Sequence, residues 1–218
     1  MPRIIDVLLS ILALLFLFPL FMPIVIILLL TGEHKVFYLQ NRVGYKNKNF
    51  KIIKFATMLS NSANMGSGSL TLKNDPRVLP FGTFLRKTKI NELPQILNII
   101  IGDLSIVGPR PQMQVDFKKY SDEVQRKIYN VRPGLTGIGS IIFRDEESLI
   151  SLAAENENPH DFYKRVIAPY KGELEIWYHS HRSLFLDFQL IFMTAWAIVA
   201  PETRLYEKWF KDLPKRSF

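Results

Sequence analysis

Two acidic residues bracket the segment of this chain whose residue types best suit chemistry. Glu92 follows Asn91 at the start of an apolar stretch, and Asp103 follows its end. Acidic residues are scarce upstream, since residues 34–73 contain none. A carboxylate near positive groups at a helix start is expected to be ionised and can hold Mg²⁺ against a diphosphate. Glu92 and Asp103 are therefore candidate metal ligands, with a first-turn helix acid and a turn residue as the plainer interpretations.

Arginines beside prolines are candidates for binding phosphate. The motif GPRP at residues 108–111 holds Arg110 between two rings, and Arg132 begins a second motif, RPG. A guanidinium on a rigid backbone suits bidentate capture of phosphate, although a surface turn with a solvated arginine is the alternative. The remaining candidate phosphate ligands are Lys54, Arg77 and Arg86.

A helix over residues 90–101 must position these groups. Asn91 is a good N-cap residue, Pro94 is tolerated in a first turn, and the apolar residues that follow share one face. Because helix N-termini favour anions, Arg86, the helix start and Arg110 together could frame a diphosphate. The sequence contains neither a Walker loop nor a dinucleotide-type glycine fingerprint, so any nucleotide is bound by another design.

The rest of the chain predicts an α-rich α+β fold. The predicted elements are strands at 36–41 and 50–55 around a turn at 44–49, a mobile loop at 59–69, helices at 117–129, 161–178 and 186–199, and a turn at 132–137. Aromatic residues surround the last helix, which indicates an amphipathic helix at a membrane interface, with a buried core helix as the alternative.

An apolar N-terminal segment points to a membrane. Residues 7–32 carry no charge, and a straight helix of this length is about 39 Å long, enough to cross a bilayer core. Pro19 and Pro23 interrupt it, which predicts either a kinked span or a helix that breaks and leaves by the face it entered. Six cations and no acid lie between His34 and Ala56, which marks that side as cytoplasmic. We expect a membrane element over residues 1–32 and a catalytic body over 33–218.

Composition narrows the classes of partner and site. Lys and Arg outnumber Asp and Glu by 28 to 20, so the formal net charge of +8 calls for a negative partner. The cations are spread out and form no nucleic-acid-binding motif, whereas a membrane-tethered body over anionic lipid explains the same charge. The chain has no cysteine, which excludes disulfides, thiolate metal sites and a cysteine nucleophile.

The motifs taken together resemble the bacterial sugar transferase family, the monotopic polyprenyl-phosphate phosphoglycosyl transferases. The likeness rests on NELPQILN at 91–98, GDLSIVGPRP at 102–111 and RPGLTG at 132–137. The shorter motifs QNRVG at 40–44, KFATM at 54–58 and DPR at 75–77 match in the same order. The resemblance covers residues 4–194 and corresponds to a minimal catalytic unit.

This resemblance implies a reaction, a location and a topology. Family members transfer a phosphosugar from a UDP-sugar to polyprenyl phosphate, releasing UMP, and use Mg²⁺. They lie on the cytoplasmic face of the bacterial inner membrane, with a re-entrant N-terminal helix broken at the position of Pro19 and a small cytoplasmic catalytic domain. The expected partners are a UDP-sugar, polyprenyl phosphate and anionic lipid, without nucleic acid. A homo-oligomer and the identity of the sugar are left open.

The catalytic pair departs from the family pattern. The family has Asp-Glu, in which the Asp attacks the donor phosphate, whereas this chain has Asn91 and Glu92. An amide is a poor nucleophile because its nitrogen lone pair is delocalised. Glu92 then serves as nucleophile or base, or the lipid phosphate attacks directly, or the chain is a catalytically impaired protein that binds lipid or nucleotide sugar. We expect Asn91 and Glu92 to mark the catalytic centre in each case.

Overall fold

The computed structural model describes residues 1–200, 203–216 and 218, and it has the predicted helix-rich α+β architecture. The helices are α1 Arg3–Leu30, α2 Pro80–Lys87, α3 Gln95–Ile101, α4 Gln114–Phe117, α5 Asp122–Lys127, α6 Ile138–Ile142, α7 Glu146–Ala153, α8 Pro159–Phe162, α9 Ala168–His181, α10 Leu184–Val199 and α11 Leu205–Trp209. The strands are β1 Phe37–Val43, β2 Asn49–Phe55, β3 Ser105–Val107 and β4 Gly134–Thr136.

Two small sheets hold the functional motifs. The predicted hairpin is present: β1 pairs antiparallel with β2, with Arg42 opposite Phe50. The second sheet pairs β3 in parallel with β4, so the motif at 132–137, predicted as a turn, contains a strand. The sequence does not predict the short strands β3 and β4, because the glycines and prolines beside them are typical of turns.

Glycines make the second sheet possible. A Cβ on Gly108 or Gly134 would overlap the backbone of the facing strand segment, and one on Gly137 would overlap the carbonyl of Gly108. The backbones of the GPRP and RPGLTG motifs therefore approach more closely than side chains allow. This approach fixes the position of the loop that carries Arg110.

Helix α1 is continuous from Arg3 to Leu30, with Pro19 and Pro23 inside it. The break predicted at Pro19 is therefore not an interruption of helical structure, although prolines inside helices are the usual sites of bends. Within the described part of the chain, α1 is the one helix long and apolar enough to cross a membrane. Its middle, residues 11–20, is largely exposed.

Both ends of α1 contact the same body. At its N-terminal end, Arg3 donates to the carbonyl oxygens of Ile99 and Ile100, where α3 ends. The buried carboxylate of Asp6 accepts hydrogen bonds from the hydroxyl and backbone of β3, including Ser105 Oγ at 2.9 Å. These contacts give the two charged residues of the first turns partners in the body rather than in solvent.

At the C-terminal end of α1, an apolar cluster joins the helix to the hairpin and α2. Ile24 and Leu28 of α1 are buried with Phe55 and Leu85, and Ile90 packs against this cluster. Phe55 and Ile90 are the chain neighbours of Lys54 and Asn91, so this junction borders the predicted catalytic centre.

The predicted C-terminal helices are present with different boundaries. Residues 117–129 are divided among α4, α5 and a 3₁₀ turn, and the helix predicted at 161–178 comprises α8, a π-helical segment at Tyr163–Ile167 and α9. The helix predicted at 186–199 is α10, whose outer side exposes Phe185, Phe188 and Phe192 and whose inner side buries Leu186 and Leu190. It is therefore half core helix and half exposed apolar surface.

Candidate functional site

Glu92 is the centre of a cluster of buried charges. Arg110 donates to its two carboxylate oxygens at 2.5 and 3.3 Å, and the ammonium of Lys54 lies 3.3 Å from Oε1. The side chains of Glu92 and Lys54 are 14% and 15% exposed, whereas that of Arg110 is 32% exposed. The cluster therefore faces solvent mainly through the guanidinium of Arg110.

The charges in this cluster shift one another's protonation. Burial, the largest effect, raises the pKa of Glu92, but Arg110, Lys54 and Lys89 together hold that pKa well below its usual range. Burial lowers the pKa of Lys54 to about 7, with Glu92 opposing the shift and Arg42 adding to it. Glu92 is thus ionised at neutral pH, and the pKa of Lys54 lies close to neutral pH.

Three separate elements bring these residues together. Lys54 lies near the end of β2, and Glu92 closes the 3₁₀ turn Ile90–Glu92 just before α3. Buried Asn98 of α3 ties the two elements: its Oδ1 accepts from the backbone of Ile53 at 2.9 Å, and its Nδ2 donates to the carbonyl of Lys51 at 2.8 Å. The last residue of the NELPQILN motif therefore fixes the spacing of Lys54 and Glu92.

The loop that carries Arg110 is held through its backbone. The hydroxyl of buried Tyr129 donates to the carbonyl of Arg110 and accepts from the backbone of Gln112, both at 2.9 Å. The guanidinium of Arg42 donates to the carbonyl of Pro111 at 3.2 Å. Because the backbone polar groups around Arg110 are paired, its side chain is aimed at Glu92 before any ligand arrives.

Replacing Tyr129 with Phe tests this arrangement. The change leaves a buried carbonyl and a buried N–H without partners, so we expect a loss of about 1–3 kcal/mol in the free energy of unfolding. We also expect turnover to fall about tenfold, because Arg110 is no longer aimed. Tyr178→Phe is the matched control, since the hydroxyl of Tyr178 donates to Asp187, outside the Arg110 loop. Equal turnover of the two variants, measured with thermal unfolding in parallel, would contradict a positioning role for Tyr129.

Asn91 is buried beside this cluster and does not cap the helix. It lies inside the 3₁₀ turn, only 5% exposed, while Lys89 with a φ of 60° takes the N-cap position. Among the described residues, Asn91 Oδ1 has no hydrogen-bond partner, nor has Nε2 of Gln95 one helical turn later. The cap predicted at Asn91 is therefore wrong. The residue instead contributes an unpaired acceptor next to Glu92.

Arg77 is a structural residue, contrary to its prediction as a phosphate ligand. It is buried, with its Nε and Nη2 on the carboxylate of Asp75. Its remaining donors bind the loop predicted as mobile, through the carbonyls of Ser62, Met65, Gly68 and Leu70 and the hydroxyl of Ser67. All N–H groups of the guanidinium are occupied, so none is available to a phosphate.

Arg77→Lys should destabilise the fold. The ammonium of a lysine cannot replace the planar guanidinium of Arg77, which binds five acceptors of the loop. We therefore expect the free energy of unfolding to fall by about 3 kcal/mol, equivalent to a fall in melting temperature of roughly 6–12 °C. Arg126→Lys, at an exposed position of α5, is the control. Equal melting temperatures for the two variants would show that Arg77 does not hold the loop.

Two further predicted phosphate ligands have partners other than Glu92. Arg86 pairs with Glu147 at the surface. Arg132 donates to the carbonyl of Gly102 at 2.9 Å, just past the end of α3, and stacks on Tyr45. The structure thus brings Lys54 and Arg110 to Glu92 and leaves Arg77, Arg86 and Arg132 with other partners.

The residues present do not match a resident Mg²⁺ site. Glu92 and Asp103 lie beyond opposite ends of α3, whose seven residues span about 10 Å, so they share no ligand set. Among the described residues, no group of three His, Asp or Glu side chains is arranged to hold a metal. Glu92, the single carboxylate at the centre, is already paired with two cations. The side chains therefore support no catalytic step through a metal of their own.

Three residues near the cluster were not singled out from sequence. Arg42 and Lys89 lie close enough to lower the pKa of Lys54 and of Glu92, respectively. Glu175 of α9 is buried against Gly139, and burial raises its pKa to about 8. Arg42 lies in the QNRVG motif, which was a usable signal, whereas Glu175 resembles any helix acid.

Known proteins share these motifs. The family model described as "Bacterial sugar transferase" matches residues 1–201. An exopolysaccharide production protein, ExoY, of Sinorhizobium fredii is 38% identical over 163 residues, which cover 68% of this chain and 72% of that protein. A UDP-N-acetylgalactosamine-undecaprenyl-phosphate N-acetylgalactosaminephosphotransferase of Aeromonas hydrophila is 31% identical over 87% of this chain.

The coverage of these relatives differs. A UDP-glucose:undecaprenyl-phosphate glucose-1-phosphate transferase of Xanthomonas campestris is 30% identical over 91% of this chain. The match spans 41% of the Aeromonas protein and 38% of the Xanthomonas protein, so the chain corresponds to less than half of each. The family model spans the motifs that carry Lys54, Glu92 and Arg110, and on that match this chain belongs to the bacterial sugar transferase family.

Proposed function

We propose that this protein transfers a phosphosugar from a UDP-sugar to a polyprenyl phosphate and releases UMP. The observation that carries the proposal is the buried carboxylate of Glu92 held between Lys54 and Arg110, next to the junction of α1 with the body. Relatives named as transferases that use undecaprenyl phosphate support the same substrate classes.

The chemistry is a phosphoryl transfer, for which positioned cations matter most. A phosphate oxygen attacks the β-phosphorus of the donor, the bond from that phosphorus to the bridging oxygen breaks, and UMP leaves with the electron pair. Arg110 and Lys54 neutralise the phosphoryl oxygens. Glu92 holds both cations in place until the diphosphate shares them. The amide of Asn91 supplies no nucleophile, so the lipid phosphate attacks directly or Glu92 takes over.

UMP release tests the proposal directly. The full chain in lipid vesicles is incubated with a polyprenyl phosphate and each member of a panel of UDP-sugars. We expect UMP and a polyprenyl-diphosphate sugar in equal amounts with at least one donor. No release with any donor, together with retained binding of UDP-sugar or lipid, would support the alternative of a catalytically impaired binding protein, which the neutral Asn91 favours.

The proposal includes a re-entrant α1 on the cytoplasmic face of the inner membrane. Arg3 and Asp6 bind the body at one end of α1, and Ile24 and Leu28 pack on it at the other. A helix crossing the bilayer would separate these ends by its full thickness, with the body on one side only. Pro19 and Pro23 stand between the two contacts, and prolines inside helices are the usual sites of bends.

Cysteine labelling tests this topology in a chain that has no cysteine. Pro2→Cys at one end of α1 and Lys211→Cys in the body are each treated with a membrane-impermeant thiol reagent. We expect both to be protected in intact cells and labelled after permeabilisation. Labelling of Pro2→Cys alone in intact cells would establish a full span.

A further inference from the structure

An apolar groove lies at the C-terminal end of α1, where this helix meets the body. It has a volume of about 240 Å³, and its wall includes Leu28, Ala56, Met58, Leu79 and Phe81. Thr31, Glu33 and Lys35 stand at the same groove and are exposed. The groove therefore combines a hydrocarbon-like wall with a polar, solvent-facing margin.

The groove is adjacent to the charge cluster along one chain segment. Lys54 is the penultimate residue of β2, and Ala56 and Met58, two and four residues later, line the groove. Phe55, between Lys54 and Ala56, is buried in one cluster with Leu28, which also lines the groove, and Lys54 and Ala56 are about 7 Å apart along an extended chain. A ligand that contacts both needs a charged phosphate joined directly to a hydrocarbon chain.

We infer that this groove binds the first isoprenoid units of the polyprenyl phosphate, an inference that rests on the function proposed above. The phosphate reaches Lys54 and Arg110 while the hydrocarbon lies against Ala56, Met58 and Phe81. The groove adjoins Leu28 near the end of α1, so the rest of the hydrocarbon chain continues along that helix into the bilayer. A phospholipid presents its phosphate behind a glycerol and two acyl chains, which is a poorer match to this spacing.

Met58→Trp should block the groove without altering the charges. The half-buried side chain of Met58 lines the groove, whereas Met65, the site of the control Met65→Trp, is exposed and lies outside it. The KM for polyprenyl phosphate is measured for both variants with a long-chain acceptor and with an acceptor of one isoprene unit. If the tryptophan displaces two methylene groups of the lipid from the groove, the lipid binds about tenfold more weakly. We expect the KM of Met58→Trp to rise about tenfold or more for the long acceptor and less than twofold for the short one, with the KM for UDP-sugar unchanged.

A length-independent change in KM, or no change, would place the hydrocarbon elsewhere and overturn the inference. Photo-crosslinking gives a readout that does not need turnover. A polyprenyl phosphate with a diazirine in its second isoprene unit should label peptides that contain Met58 or Leu79 in the parent chain and lose this label in Met58→Trp. Labelling of the groove by a diazirine phospholipid, with no competition from polyprenyl phosphate, would assign the groove to an ordinary membrane lipid. An inactive chain that still crosslinks there would count against the transferase function but not against the groove.

Discussion

Glu92→Gln should reduce phosphosugar transfer by roughly 10³-fold. The change removes the negative charge that Arg110 and Lys54 share, so the two cations repel each other and Arg110 loses its bidentate partner. It also removes the charge that raises the pKa of Lys54 against burial. That pKa, about 7 in the parent protein, then falls, and Lys54 is largely neutral at pH 7.

The pH dependence separates this cause from simple unfolding. If Lys54 must carry its proton to bind phosphate, residual activity of Glu92→Gln should be greatest at a lower pH than in the parent protein. Glu123→Gln is the matched control, because the exposed carboxylate of Glu123 pairs with Lys127 on α5 and should change turnover less than twofold. A Glu92→Gln variant that folds and transfers as fast as this control would remove Glu92 from the mechanism.

Local sequence patterns were enough to predict the hairpin and the helical segment that carries Glu92. The strands predicted at 36–41 and 50–55 around a turn correspond to β1 and β2, and the helix predicted at 90–101 is divided into the 3₁₀ turn Ile90–Glu92 and α3. Lys54, Glu92 and Arg110 belong to three different sequence motifs. Lys54 is 38 residues before Glu92, and Arg110 is 18 residues after it. No local rule joins such distant groups. Their common location is given by Asn98, which ties β2 to α3, a contact visible only in three dimensions.

Arg77 and Arg110 show that residue type and a neighbouring proline do not determine the partners of an arginine. Arg77 and Arg110 both neighbour a proline, and both are partly or fully buried. Arg77 is surrounded by loop carbonyls and the carboxylate of Asp75, whereas Arg110 meets one carboxylate and remains 32% exposed. The difference arises from the folding of a Ser-, Asn- and Gly-rich loop around Arg77. Its composition had indicated mobility because it lacks an apolar pattern of its own.

Asn91→Asp should increase transfer, by roughly 10²-fold or more if the missing nucleophile limits the rate. The new carboxylate would stand beside Glu92, where the unpaired Oδ1 of Asn91 now lies. Burial raises the pKa of an acid at this position, but Lys54 and Lys89 lie near enough to affect Glu92 and favour its ionised form. Because Oδ1 of Asn91 has no hydrogen-bond partner among the described residues, the substitution breaks no hydrogen bond of that atom.

Intact-protein mass spectrometry with the UDP-sugar alone distinguishes the two chemical routes. If residue 91 attacks the donor, the variant should gain the mass of a phosphosugar while UMP is released, and the parent should gain none. Asn130→Asp, at an exposed position, controls for the added charge. Equal transfer by parent and variant with no adduct would mean that the lipid phosphate attacks directly, with Glu92 orienting the cations. In direct attack the groove would hold the hydrocarbon and leave the lipid phosphate on Lys54 and Arg110, next to the donor. Residue 91 would then need only to leave the β-phosphorus accessible.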